Sequence, residues 1–170
     1  MGSHTYNSPL PRYKSERRIV VAPYHQGYVV DASGLTKGFV EHDEPDRERA
    51  LALKEIHVSG RSVIYVTELT FLEVLNAIRF GSRAKEEHGA RAIAGLEGLH
   101  LKVTDTDFQL LRKANAIAWA YKITVYDALY VALAEQLGHP LITADEVMVK
   151  KLKGHSIVVP LRELDFKAER

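Results

Sequence analysis

Short apolar segments rich in β-branched residues alternate with helical patterns along most of the chain. Strands are predicted at residues 28–30, 63–66, 101–103, 141–143 and 157–159, with an edge strand at 19–21. Helices are predicted at residues 35–40, 46–58, 68–80, 84–96, 105–121, 127–137 and 145–152. Because parallel strands need crossover connections, this alternation predicts an α/β fold with a parallel sheet flanked by helices.

Composition and charge exclude several classes of protein. The chain has 170 residues, 46% of them hydrophobic, and a formal net charge of +1, so no strong overall field attracts nucleic acid or a membrane. The sequence contains no Cys, which excludes disulfides, zinc ribbons and thiol chemistry and allows a reducing compartment. No apolar run approaches the roughly 18 residues of a membrane span. We therefore expect a cytoplasmic protein without a membrane segment.

The domain organisation is predicted to be one domain with tails. Residues 1–27 form an N-terminal arm whose start is polar and interrupted by prolines, and no signal peptide is expected there. Residues 28–164 form the domain, and residues 165–170 form a C-terminal tail.

Acidic residues lie where ligands bind in α/β proteins. Asp31 directly follows the strand at 28–30, and Asp145 follows the strand at 141–143. In open α/β sheets, ligands bind in the crevice beyond such strand ends. Asp127 lies at the head of an apolar helix. Helix capping is the alternative explanation for Asp31 and Asp127.

Several threonines are each followed, three residues later, by an acid, which is the spacing of a helix-capping box. Asp127 lies three residues after Thr124, an approximate capping box. Thr143 and Glu146 have the same spacing, which predicts that Asp145 points elsewhere. Thr104 and Asp107 share it as well, with no sign of a site nearby, and they serve as an internal control.

Glu73 is harder to explain by capping. Apolar residues surround nearly the whole circumference of its helix, so the helix is predicted to be largely buried. Asn76 lies three residues later on the same face and is a partial partner for the carboxylate. Since a buried carboxylate needs pairing, a metal ion or an arginine would complete it.

Acids that converge without a basic partner repel one another, and a divalent cation removes that conflict. Carboxylates suit hard ions such as Mg²⁺ or Mn²⁺, which position phosphate oxygens and activate water.

One alternative to a metal-dependent enzyme is a non-catalytic interaction module whose acids only cap helices. Another is a phosphoacceptor domain similar to response regulators, which ranks last because no second acid flanks Asp31.

Four short blocks together resemble the PIN-domain ribonucleases, and among them the VapC toxins of type II toxin–antitoxin pairs. The blocks are Val30-Asp31-Ala32-Ser33, Glu73-Val74-Leu75-Asn76, Tyr126-Asp127-Ala128-Leu129-Tyr130 and Thr143-Ala144-Asp145. They occur in the family's order and with family-like spacing, and the resemblance runs from about residue 28 to residue 164. The fold it implies is a three-layer α/β/α sandwich, a doubly wound parallel sheet of about five strands.

The resemblance also implies an activity, the metal-dependent hydrolysis of phosphodiester bonds in RNA by an activated water. The catalytic and metal-binding acids it implies are Asp31, Glu73, Asp127 and Asp145, with Mg²⁺ or Mn²⁺ as cofactor. The supporting residues it implies are the hydroxyls of Ser33 and Thr143 and the polar neighbour Asn76.

The partners implied by the resemblance are an RNA substrate, a second copy of the chain in a homodimer, and a cognate antitoxin. The antitoxin would lay a helix into an apolar groove near the site. Leu35, Phe39, Leu51 and Ile56 are candidates to line that groove, and ordinary core packing explains them equally well. A PIN nuclease that acts in RNA maturation is the alternative biological role.

Overall fold

The computed structural model describes residues 19–20, 27–39, 46–81 and 84–165. Its strands are β1 (Ile19–Val20), β2 (Gly27–Val30), β3 (Val63–Val66), β4 (Lys102–Val103), β5 (Leu141–Thr143), β6 (Val158–Pro160) and β7 (Leu164–Asp165). Its helices are α1 (Ala32–Thr36), α2 (Arg47–Val58), α3 (Glu68–Arg79), α4 (Glu86–Leu99), α5 (Phe108–Tyr121), α6 (Val125–Leu137) and α7 (Glu146–Lys151), with a 3-10 turn at Leu161–Glu163.

Five of the strands form one parallel sheet in the order β4-β3-β2-β5-β6. The chain runs outward from β2 through β3 to β4, then returns to the other side of β2 for β5 and β6. The direction of winding therefore reverses between β2 and β5, which is where such sheets bind their ligands. The predicted doubly wound sheet of about five strands is confirmed.

The edge strand predicted at 19–21 pairs outside this sheet. Residues Ile19–Val20 form a strand parallel to β7, in a separate sheet of two strands, and β7 was not predicted. Residue 21 lies outside the described residues.

Helices cover both faces of the main sheet. Tyr28 and Val30 point to one face, where they pack with α1, α2, α3 and α4, while Val29 points to the other face and packs with α5, α6 and α7. Successive side chains of a strand alternate between faces, so one strand contributes to both cores. The three layers of an α/β/α sandwich follow, as predicted.

Capping side chains explain where three helices begin. The first helix begins at Ala32, earlier than predicted, because Oδ1 of Asp31 accepts from the amide of Gly34 at 2.8 Å. The helix α5 begins at Phe108, later than predicted, because the Asp107 side chain caps it by accepting from the amide of Leu110 at 2.7 Å. The helix α6 begins two residues before Asp127, because the Thr124 hydroxyl caps it. The other predicted elements are present with small differences at their ends.

The helix α3 is less buried than predicted. Only Thr70 and Val74 are buried, whereas Leu72 is 63% and the following Phe80 is 81% exposed. The prediction was wrong because α3 packs on the sheet with one side only, which leaves the apolar outer side uncovered in a single chain. Neither this helix nor any other in the described ranges is long and apolar enough to cross a membrane.

The four candidate groove residues have different environments. Leu35 and Ile56 lie in the core between the sheet and the helices, so the core-packing alternative is correct for these two. Phe39 packs partly against the same core, and Leu51 is exposed on α2.

Candidate active site

Two of the predicted acids lie at the point where the winding of the sheet reverses. Val30 of β2 pairs with Ile142 of β5, and the amide of Asp31 donates to the carbonyl of Ile142 at 3.2 Å. Asp31 follows β2 directly, and Asp145 follows β5 after one intervening residue. Neighbouring parallel strands therefore bring both acids to the same edge of the sheet.

Both carboxylate oxygens of Asp31 are held by hydrogen bonds. Oδ1 accepts from the Gly34 amide and from the Ser33 hydroxyl, each at 2.8 Å. Oδ2 accepts from the Thr143 hydroxyl at 2.6 Å and from Ser33 at 2.9 Å. The side chain is only 5% exposed. Its orientation is thus fixed from the helix α1 and from the strand β5 together.

The same two hydroxyls also hold the loop that carries the second acid. Oγ of Ser33 accepts from the amide of Ala144 at 2.9 Å, and Oγ1 of Thr143 accepts from the amide of Asp145 at 3.0 Å. Each hydroxyl accepts a bond from this loop while donating one to Asp31. Ser33 and Thr143 therefore fix the position of Asp31 relative to the loop that carries Asp145.

Asp145 is the N-cap of α7. Its Oδ1 accepts from the amides of Val147 at 2.7 Å and Met148 at 3.0 Å. The predicted capping box of Thr143 and Glu146 is wrong, because Asp145 itself caps α7 and the Thr143 oxygen accepts from the amide of Asp145 instead. Among the described residues, no hydrogen bond holds Oδ2 of Asp145.

Glu73 and Asp127 form a second part of the site, contributed by α3 and α6. The hydroxyl of Tyr130 donates to Oε2 of Glu73 at 2.5 Å. Asp127 lies in the first turn of α6, where its amide donates to the Thr124 hydroxyl at 3.0 Å. Its carboxylate is close enough to Glu73 to raise the pKa of that residue.

The partner of Glu73 is not the predicted one. Asn76 is exposed, and within the described part of the chain its side chain makes no hydrogen bond to Glu73. Tyr130 takes that place from a helix distant in sequence. Its position one turn after Asp127 on α6 is the sequence signal that points toward the site.

Burial and mutual repulsion raise the pKa values of two acids. Burial raises the pKa of Asp31 to about 6, the bonds from Thr143, Gly34 and Ser33 oppose the rise, and the charge of Asp145 adds to it. Burial likewise raises the pKa of Glu73, while the bond from Tyr130 opposes this and the charge of Asp127 adds to it.

The electrostatic effects of the four acids fall into two sets. The charge of Asp145 raises the pKa of Asp31, the charge of Asp127 raises the pKa of Glu73, and the charges of Glu73 and Asp31 both raise the pKa of Tyr130.

The chemistry of these donors fits a hard divalent cation. All are carboxylate oxygens, and no described Lys, Arg or His forms an ion pair with any of the four acids. Such donors suit Mg²⁺ or Mn²⁺ rather than a soft metal. Within the described ranges, no three His, Asp or Glu side chains stand together as a ready-made metal group.

Comparisons with known proteins agree with the predicted fold and family. The PIN domain family model matches residues 28–153. Ribonuclease VapC3 of Pyrobaculum aerophilum is 30% identical over 128 residues, which are 72% of this chain and 92% of that protein.

Solved structures show the same architecture at lower identity. A toxin–antitoxin complex from Klebsiella pneumoniae matches with a TM-score of 0.58 and 18% identity, covering 79% of this chain and 97% of that one. The VapBC2 structure from Rickettsia felis, bound to a promoter DNA fragment, matches with a TM-score of 0.59 and 13% identity, covering 79% and 98%. At these sequence identities, the similarity to the two solved structures shows a shared fold. With the family model covering most of the sequence, the resemblance predicted from the acidic blocks is confirmed, and the chain belongs to the PIN domain family.

Proposed function

We propose that the chain is a divalent-metal-dependent ribonuclease that hydrolyses phosphodiester bonds of RNA and acts in the cytoplasm as the toxin of a toxin–antitoxin pair. The relative named Ribonuclease VapC3 supports the activity. The observation that carries the proposal is Asp31, a carboxylate 5% exposed at the switch point of the sheet, whose pKa the nearby charge of Asp145 helps to raise. A buried carboxylate beside a second acid is costly unless a cation joins them.

The roles of the residues follow from their positions in residues 28–164, which we take as the catalytic domain. Asp31 and Asp145 would hold Mg²⁺ or Mn²⁺, while Glu73 and Asp127 would hold and orient the attacking water. The chemistry that the ion supplies is a lower pKa of water and an offset of charge on the phosphate. The remaining site residues support these acids: Ser33 and Thr143 fix Asp31, and the exposed Asn76 is available to contact RNA.

Metal binding depends on whether the Asp31 carboxyl is protonated or ionised. A protonated Asp31 cannot bind a cation well, because only the carboxylate is a strong ligand. Its pKa of about 6 keeps it mostly ionised at neutral pH even without metal. Its two hydroxyl donors and the Gly34 amide hold that ionised form in place.

A cognate antitoxin and a homodimer complete the proposal. The structural neighbour described as a toxin–antitoxin complex shares this fold. The exposed apolar side chains of Leu72 and Phe80, in and at the end of α3, suit burial against a second copy, and exposed Leu51 suits contact with an antitoxin. Co-expression with the adjacent small open reading frame should give a stable complex that inhibits cleavage. A neighbour that neither binds nor inhibits would favour the alternative role in RNA maturation.

The catalytic assignment is tested by two matched variants. Asp31→Asn retains the capping oxygen of α1 but removes the charge that a hard cation needs. Asp107→Asn makes the same change at an acid that only caps α5. RNA cleavage by the purified, folded variants should be lost for Asp31→Asn and retained for Asp107→Asn. Equal cleavage by the two variants would refute the assignment of Asp31.

A further inference from the structure

Tyr130 is a buried phenol in contact with the acidic site. It is 2% exposed, and its ring lies in the core cluster formed by α5 and α6. Its hydroxyl donates to Oε2 of Glu73 at 2.5 Å. Because α3 packs on the opposite face of the sheet, this bond joins the two helical layers at the edge where the acids lie.

The helix α3, which carries Glu73, is joined to the end of β3 at its first turn. The Thr70 hydroxyl oxygen accepts from the amide of Thr67 at 3.2 Å. Thr67 directly follows β3, and both threonines are fully buried. The start of the helix that carries Glu73 is therefore fixed relative to the sheet.

We propose that Tyr130 is a positioning residue of the site, whose hydroxyl holds Oε2 of Glu73 so that Oε1 is presented to a divalent cation or to its water. This assignment rests on the proposed ribonuclease function. Residues that orient the ligands of a metal contribute to its affinity without touching it. A purely structural role for the hydroxyl would leave that affinity unchanged.

The test removes one hydroxyl at a time. Tyr130→Phe retains the buried ring and removes the donor to Glu73. Tyr28→Phe is the matched control, because Tyr28 is also 2% exposed and its hydroxyl bonds to none of the four acids. Calorimetric titration with Mn²⁺ alone, without RNA, should show affinity weakened about 10-fold to 100-fold in Tyr130→Phe and unchanged in Tyr28→Phe. In cleavage assays, kcat should fall and KM for RNA should stay the same.

A double variant separates positioning from general loss of packing. Glu73→Gln should impair Mn²⁺ affinity and kcat, and adding Tyr130→Phe should cost little more, because the hydroxyl acts through Glu73. Fully additive losses would overturn the inference. If Tyr130→Phe does not fold, Tyr130→Met replaces it and should weaken Mn²⁺ affinity in the same direction, since a flexible apolar side chain fills the buried space but provides no donor to Glu73.

The outcomes distinguish this inference from the proposed function. A folded Tyr130→Phe that binds Mn²⁺ and cleaves RNA like Tyr28→Phe overturns the inference alone. A wild-type protein that neither binds Mn²⁺ nor cleaves RNA overturns both.

Discussion

Asp31 performs two tasks with one side chain. Its Oδ1 caps α1 through Gly34, and its Oδ2 receives the hydroxyl of Thr143 from a strand distant in sequence. Capping was an alternative to a site role from sequence alone, but the structure shows that the carboxylate that caps α1 also lies at the switch point of the sheet. The cap places the carboxylate at the switch point, and the hydroxyls orient it.

The raised pKa of Asp31 predicts how stability depends on pH in the absence of metal. Its folded pKa of about 6 lies above the unfolded value, so protonation favours the folded state. The destabilising contribution is absent below about pH 4, appears as the pH rises through about 6, and reaches about 3 kcal/mol as an upper estimate.

Asp31→Asn isolates this contribution. The variant has no carboxyl to ionise, so its advantage over wild type in free energy of unfolding should grow between about pH 4 and pH 8. Urea unfolding in EDTA across that range measures the difference. An advantage that does not change with pH would contradict the raised pKa, and Asp107→Asn should show no such growth.

At the scale of secondary-structure elements, the approach of β2 to its neighbours depends on a glycine at its start. A Cβ on Gly27 would lie 2.5 Å from the Tyr65 ring and 2.7 Å from the His139 ring. Those two rings stack on each other with centroids 5.2 Å apart. The absence of a side chain at Gly27 therefore lets the stack close over the first residue of the strand.

Gly27→Ala should destabilise the protein by about 1–3 kcal/mol, because the added methyl displaces the stacked rings. Gly89→Ala is the control, since a Cβ there meets nothing within 4 Å and alanine favours the helix α4. Thermal unfolding should show a lower Tm for Gly27→Ala and an equal or higher Tm for Gly89→Ala. A neutral Gly27→Ala would show that the rings move aside at no cost.

Local signals predicted most of the elements and their order. The strands β2, β3 and β5 are short, mostly apolar runs, and the acids just beyond β2 and β5, Asp31 and Asp145, were visible in the sequence. The choice of cap at α7 was not predictable, because Thr143 and Asp145 both have suitable spacing locally. The choice depends on Asp31, which reaches Thr143 only once β2 and β5 pair.

At the site, contacts between helices that are distant in sequence could not be predicted. Glu73 and Tyr130 are separated by 57 residues, and no local spacing rule connects them. The nearby Asn76 matched a local rule but lies on the exposed side of α3. The apolar circumference of α3 likewise predicted burial without stating whether the core or a partner provides it, and Leu72 remains exposed in the single chain.

At the scale of the whole molecule, the proposed metal site predicts that the folded state is sensitive to divalent cations. An ion that binds only the folded chain stabilises it by mass action, by about 2.7 kcal/mol at one hundred times its Kd. Millimolar Mn²⁺ should therefore raise the Tm of the wild type and of Asp107→Asn. Asp31→Asn should lose most of this rise, and EDTA should reverse it. An unchanged Tm in the wild type would count against an assembled site.

The proposed function requires metal-dependent cleavage of RNA by this chain. The most direct measurement incubates the purified protein with structured and unstructured RNAs in Mg²⁺, in Mn²⁺ and in EDTA, and follows product formation. We predict cleavage of at least one RNA with either ion, no cleavage in EDTA, and recovery when the ion is restored, because water needs activation at the acids. Cleavage that persists in EDTA, or no cleavage of any RNA with either ion, would contradict the account.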